Sequence, residues 1–318
     1  MKVKYIIWGL IYLVQSQLSM AEDVQKLMKD SEFKTPYSQW SLHALFSYSD
    51  FKFKASNPVA INRFQGHNNL YLLGGNSAPI SNSIIVGLFI YKLNTYLSFM
   101  QPSVAETSET IRNNSLYGHV LKQIQPSIFV DLMGGYGQNS LNYTTYSIEN
   151  NETQYLGNAK SHGDNWFIGL KAFYNYRWND FGLLSSIGPL YTQVNQNAFN
   201  IFLLSEPENP ISARSSKATF LLENAELTYK HYETIQPFVT GGFIQVLQSR
   251  VNHLDAAALS LAVLPNQSIN LDKNGFSVGA GLSWRYRRVL LRLEQQYYQR
   301  GSIYHSNQSI ASMRFAID

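Results

Sequence analysis

Ten charged residues stand singly at alternate positions of stretches that are otherwise apolar or small: Asp131, Lys171, Arg177, Glu226, Lys230, Arg285, Arg287, Arg292, Glu294 and Arg314. Charges of both signs at that spacing can do one of two things. They can line a polar passage, where an excess of basic groups favours anionic solutes. Alternatively, arginines and carboxylates can pair and brace the space they share. Catalytic readings fit less well. No G-x-S-x-G nucleophile elbow is expected, and no H-E-x-x-H pair offers a zinc site. Cysteine is absent, which excludes disulfides, thiolate metal sites and a lipid-modified N-terminal cysteine. The seven histidines are scattered. His43, His119 and His231 fall in strand-like stretches, where a hydrogen-bonded or interfacial imidazole is the ordinary role. The sequence therefore points to no enzyme and to no cofactor.

The glycines Gly134, Gly135, Gly137, Gly279 and Gly281 do not form a phosphate loop, because no helix follows them. In strands, glycine lets backbones approach and clears space on one face. Without Lys2 and Lys4 the chain carries 23 basic residues, two fewer than its full 25, against 21 acidic ones. So near a balance gives no reason to expect a nucleic-acid partner.

The elements that carry these charges are strands. In FSVGAGLSWRYR, Phe276, Val278, Ala280, Leu282, Trp284 and Tyr286 fall on one face, with Ser277, Gly279, Gly281, Ser283, Arg285 and Arg287 on the other. After a tight reversal, Val289, Leu291, Leu293 and Tyr297 oppose Arg292, Glu294, Gln296 and Tyr298. Period-two alternation of this kind sends the two sets to opposite sides of a strand. The apolar sets close on aromatic residues, and Trp40, Trp166, Tyr174, Tyr176, Trp284, Tyr286 and Tyr297 are the candidates for an interfacial aromatic girdle.

Repeated along the chain, the pattern gives twelve strands near 38–50, 64–74, 82–93, 112–124, 126–138, 164–178, 181–194, 216–232, 236–250, 274–287, 289–300 and 306–318. Short links alternate with longer ones at 51–63, 94–111, 139–163, 195–215, 251–273 and 301–305. Charged residues make up 14 % of the chain and aromatics another 14 %, against about 25 % charged in an ordinary soluble domain. Low charge, many aromatics and alternating short and long links suit an all-β, closed antiparallel transmembrane barrel, apolar outside and polar inside. Closure removes edges that hydrocarbon would leave unpaired. The last strand, SIASMRFAID, then returns to the first around Trp40, Leu42, Ala44 and Phe46, with Ala311, Met313, Phe315 and Ile317 toward lipid and Ser312 and Arg314 inward.

Residues 1–21 have the form of a cleavable signal peptide: Lys2 and Lys4, an apolar run from Tyr5 to Val14, and Ser19 and Ala21 as a small-x-small site. That run of ten is short of the ~20 residues that span a bilayer. In residues 22–36, Val24, Leu27 and Met28 have helical spacing, so this segment could form a short helix in the lumen. The barrel would occupy residues 37–318.

The sequence resembles the translocator domain of bacterial autotransporters, a twelve-stranded barrel of the Gram-negative outer membrane. The resemblance is carried by SLYGHVLKQIQPSIFVDLMGGYGQN (115–139), GLLSSIGPLYTQV (182–194) and the run from IQPFVTGGF through GFSVGAGLSWRYRR to QYYQR. It implies a pore or translocator module for protein secretion, with outer-membrane lipid and the barrel-assembly machinery as partners. Two departures qualify it. Only residues 22–36 precede the first strand, so little or no passenger is expected, and the chain ends on Asp318 where the family usually ends on an aromatic. The alternative reading is a surface-display barrel in which segments 139–163, 195–215 and 251–273 mediate adhesion or partner binding. Within the last of these, DAAALSLAVL (255–264) is unusually apolar for an external loop.

Overall fold

The structure is a computed structural model that describes residues 40–54, 63–80, 83–100, 105–149, 152–203, 206–232, 234–251, 274–302 and 304–317. The candidate signal peptide, residues 22–36, the apolar segment 255–264 and Asp318 lie outside the described residues.

Alternating sequences rich in Val, Ile, Tyr, Phe and Thr form strands because branched and aromatic side chains pack on a pleated surface. The described strands are β1 (Trp40–Lys54), β2 (Arg63–Asn76), β3 (Ile84–Met100), β4 (Ala105–Gln125), β5 (Ile128–Glu149), β6 (Glu152–Trp178) and β7 (Phe181–Gln196). They continue as β8 (Phe199–Leu203), β9 (Glu206–Ile211), β10 (Arg214–Tyr229), β11 (Ile235–Val251), β12 (Gly275–Tyr286), β13 (Val289–Arg300) and β14 (Tyr304–Ile317). Neighbours along the sheet run β5-β4-β3-β2-β1-β14-β13-β12-β11-β10-β7-β6, and β5 also pairs with β6. The sheet is therefore closed, and every ladder is antiparallel.

Fourteen segments make twelve staves. β7 pairs with β10 at Gln196 and Arg214, and β8 pairs with β9 at Phe199 and Ile211. The register is the same across both ladders, so β8 prolongs β7 and β9 leads into β10. The breaks at 197–198 and 212–213 are interruptions in two long strands. The prolongation pairs on one side with β6, at Ala159 and Ile201. Pro207 and Pro210 lie in β9, and prolines withhold the donors an edge strand would offer a stray partner.

β1 and β14 close the barrel with Trp40 opposite Ile317, Leu42 opposite Phe315, Ala44 opposite Met313 and Phe46 opposite Ala311. All eight fall on the outer face, while Ser312 and Arg314 point inward. The links near 77–83, 126–127, 179–180, 230–234 and 287–288 are short and lie at one end of the barrel. At the other end three expected loops are mostly strand: β3 runs on to Met100 and β4 starts at Ala105, within the expected loop 94–111. The 139–163 segment is a hairpin of β5 and β6, 22 and 27 residues long, and most of 195–215 is the β8–β9 hairpin. Above the membrane both faces of a strand meet water, so the two-residue alternation fades and the segment reads as loop.

The aromatic candidates lie on the outer face in two belts. Trp40, Tyr174, Tyr176, Trp284 and Tyr286 sit near the short turns; the two pairs stack at 6.3 Å (Tyr174–Tyr176) and 6.1 Å (Trp284–Tyr286). Trp166 packs on Tyr191 at 5.0 Å, and Tyr297 on Phe276 at 6.4 Å, toward the long-loop end. Eight to ten residues separate the belts along one strand. At ~3.3 Å per residue and ~40° of tilt that is roughly 20–25 Å, the height of an outer-membrane apolar band.

Candidate functional site: the barrel interior

Near the short turns the inner wall carries a polar belt. Its strongest part crosses four strands. Arg292 of β13 reaches over β12 and β11 to Glu226 of β10, donating from Nη1 to Oε1 at 3.2 Å and from Nη2 to Oε2 at 2.6 Å. Nη2 also donates to Glu294 Oε2 at 3.4 Å. Thr228 and Thr240 donate to Glu226 Oε1 and Glu294 Oε1 at 3.0 and 2.9 Å. The guanidinium lies 3.6 Å from the centre of the Phe238 ring on β11, a cation–π contact shielded from water. The reach is possible because β12 turns glycines inward: a Cβ on Gly281 would run into the Phe238 ring. Two carboxylates and one arginine, all buried, form a brace rather than an open ion path.

Opposite this brace the belt continues through imidazoles. Ser41 Oγ lies 2.9 Å from His43 Nε2, and Asn76 Nδ2 donates toward the same nitrogen at 3.5 Å. Asn76 Oδ1 faces His119 Nε2 at 3.0 Å, and His119 Nδ1 lies 2.9 Å from Asp131 Oδ1. Gly87 provides the room, since a Cβ there would collide with His119 and Asn76. Asp131 stands opposite Lys171 in the β5–β6 ladder. Lys171 Nζ donates to the Asn224 side-chain oxygen at 3.1 Å once that amide is turned to face it, which carries the belt to β10. Arg314 and Arg285 point inward and are half-buried.

Three candidates fall at the rim. Arg177 has inward register but is exposed beside the 179–180 turn, and Lys230 lies just beyond β10, with its ammonium beside Gly182. Arg287 does not belong to the interior. It sits in the β12–β13 turn with φ at 52°, exposed, its guanidinium 5.4 Å from the Tyr286 ring. The two-residue reversal takes it out of the alternation before the strand's inward position recurs. His231 is likewise at a turn, 3.1 Å from Asp180 Oδ2.

The expectation of a polar interior needs correction. Above the belt the inward residues Leu45, Leu72, Phe89, Tyr117, Phe167 and Phe220 belong to one contiguous buried apolar cluster that also takes in β10, β11 and β14. A polar patch recurs higher, where Asn113 Nδ2 donates to Asn139 Oδ1 at 2.6 Å and to Asn165 Oδ1 at 2.5 Å. Apolar and polar groups alternate with height: a second apolar cluster of Ile85, Leu121, Phe129, Phe173 and Leu184 lies between the charged belt and the short turns, and Ile111 and Leu141 lie beyond the amides. Arg300, at the end of β13 and fully buried near the Phe220 ring, is absent from the ten charged candidates, and so is the joining of His43 and His119 through Asn76. Their inward parity was the available signal.

The string Gly275-Phe-Ser277-Val-Gly279 does spell G-x-S-x-G, but it runs wholly within β12, with no helix after it, so it is not an elbow. The Ser41–His43 contact stops short of a triad, because among the described residues His43 Nδ1 has no hydrogen-bond partner. Among the described residues no group of three or more His, Cys, Asp or Glu is arranged to hold a metal.

The model of the autotransporter beta-domain family matches residues 52–294. Among solved structures the chain is similar to the translocator domain of the autotransporter NalP from Neisseria meningitidis, at 11 % identity and a TM-score of 0.75, covering 97 % of this chain and 98 % of that one. It is also similar to the beta domain of the Bordetella autotransporter BrkA (10 %, TM-score 0.60, 88 % and 100 % covered). A third is the transport unit of AIDA-I from Escherichia coli (10 %, TM-score 0.56, 90 % and 92 % covered). At these identities the likeness is one of fold. No curated protein sequence matches the chain.

Proposed function

The chain belongs to the autotransporter beta-domain family, and from that premise we propose that its barrel is a translocator pore of the Gram-negative outer membrane. The observation that carries the reading is closure: twelve staves with β1 on β14 and two outward aromatic belts. Residues 1–21 act as the export signal. The barrel-assembly machinery inserts the domain into lipid. The inward charges have a mechanical role, since Arg292 and Asp131 are committed to partners on the wall. The apolar layer above them restricts water, because hydrophobic constrictions gate by dewetting.

A second reading draws on one observation, the β5–β6 and β8–β9 hairpins, which prolong one side of the wall beyond the aromatic belts. They offer a surface on which a display barrel could bind a partner. Planar-bilayer recording of the refolded chain separates the two. A translocator gives discrete ion-conducting events, brief because the apolar layer dewets, with residues 22–36 present or removed. A silent barrel in both forms, with partner binding lost on trimming the hairpins, contradicts the pore.

A further inference from the structure

The lipid face carries two charges deep between the aromatic belts, Glu223 and Lys92, and Arg112 faces outward diagonal to Lys92, one step nearer the outer belt. Glu223 lies on β10 between Ile187 and Phe243, both outward and exposed. It sits in a groove of about 660 Å³ on the outer wall, floored by small residues including Ala172, Ser185, Ala225 and Gly241. Lys92 lies on β3, exposed, opposite outward Tyr71 and Asn114. Among the described residues neither side chain has an ion-pair partner.

Their depths match. Lys92 is four residues below Tyr96 of the outer belt, and Glu223 is four residues below Thr219, the ladder partner of the belt residue Tyr191. Each is thus about 10 Å inside the outer belt at ~3.3 Å per residue and ~40° tilt. A charge facing hydrocarbon at that depth is unfavourable unless something pairs with it. Along the sheet the two stand five strands apart one way and seven the other, on nearly opposite sides. They cannot meet within one barrel.

We propose that copies of this chain associate side by side in the membrane, with Lys92 of one copy entering the Glu223 groove of the next. Small floor residues let a long side chain and the neighbouring wall approach, as they do wherever membrane segments pack closely. Because the two patches are different surfaces, the contact is head-to-tail and produces rows or large rings rather than a two-fold dimer.

The test is cross-linking and single-molecule photobleaching of the refolded full chain in phospholipid vesicles, with heat-modifiable gel mobility as the control for folding. The wild type associates. Glu223→Lys and Lys92→Glu each remain monomeric, because like charges then face each other. An equimolar mixture of the two variants associates again, as does the double variant carrying both changes, since every contact regains one charge of each sign. A wild type that is monomeric at all protein-to-lipid ratios overturns the proposal. So does association that survives either single change, or folded variants whose mixture stays monomeric.

Discussion

Arg292→Met destabilises the folded barrel by about 3–5 kcal/mol, the cost of leaving a buried carboxylate without its partner. Arg292 is 4 % exposed and holds Glu226 by two hydrogen bonds and Glu294 by a third. Its loss strands two carboxylates on the inner wall. Urea unfolding in lipid vesicles, followed by tryptophan fluorescence, measures the difference. The double change Arg292→Met with Glu226→Leu recovers much of the loss, because it removes the desolvated charge along with its partner. A single-variant loss below about 1 kcal/mol would mean that water reaches this belt freely and that it is an ion path after all.

Ala280→Arg costs about 2–4 kcal/mol, because Ala280 faces lipid halfway between Trp284 and Phe276 of the two aromatic belts. The same arginine in place of His305, at the long-loop end of β14, costs about 0–1 kcal/mol. The contrast tests register directly: strand positions have period two, so an error of one residue would turn Ala280 toward the lumen. Equal costs at the two sites would contradict the assigned outer face. Both values come from the same unfolding assay.

Much of the barrel was legible because the bilayer imposes a strict rule on one face. From Phe276 to Tyr286 every second residue is apolar and outward, and the terminal strand pairs with the first at Trp40, Leu42, Ala44 and Phe46. The short turns were equally clear. What the rule does not reach was harder to read. β5 and β6 run on to Glu149 and from Glu152, through NYTTYSIE and ETQYLGNA, where both faces are polar and no alternation marks a strand. Inside, no solvent enforces one chemistry. Leu45 and Phe89 face the lumen as Ser47 and Thr95 do, so the interior cannot be assigned polar by analogy with a water-filled channel.

The candidate site was legible residue by residue but not as a network. Glu226, Arg292 and Glu294 are 66 and two residues apart, and only the four-strand path from β10 to β13 brings them together. Asp131 and Lys171 face each other across a ladder, yet Asp131 Oδ1 takes its hydrogen bond from His119 of the opposite neighbour. Arg287 shows the limit of parity. The alternation continues through it in the sequence, but the left-handed turn does not.

The central claim is that this barrel carries chain across the outer membrane. The most direct measurement places a short epitope with a protease site between residues 21 and 37, expresses the full chain in a Gram-negative host, and asks where the epitope lies once the barrel is heat-modifiable in the membrane fraction. Surface labelling of intact cells, with release of the epitope by external protease, is the predicted result. An epitope that stays periplasmic, reached by antibody only after the outer membrane is opened, would contradict translocation.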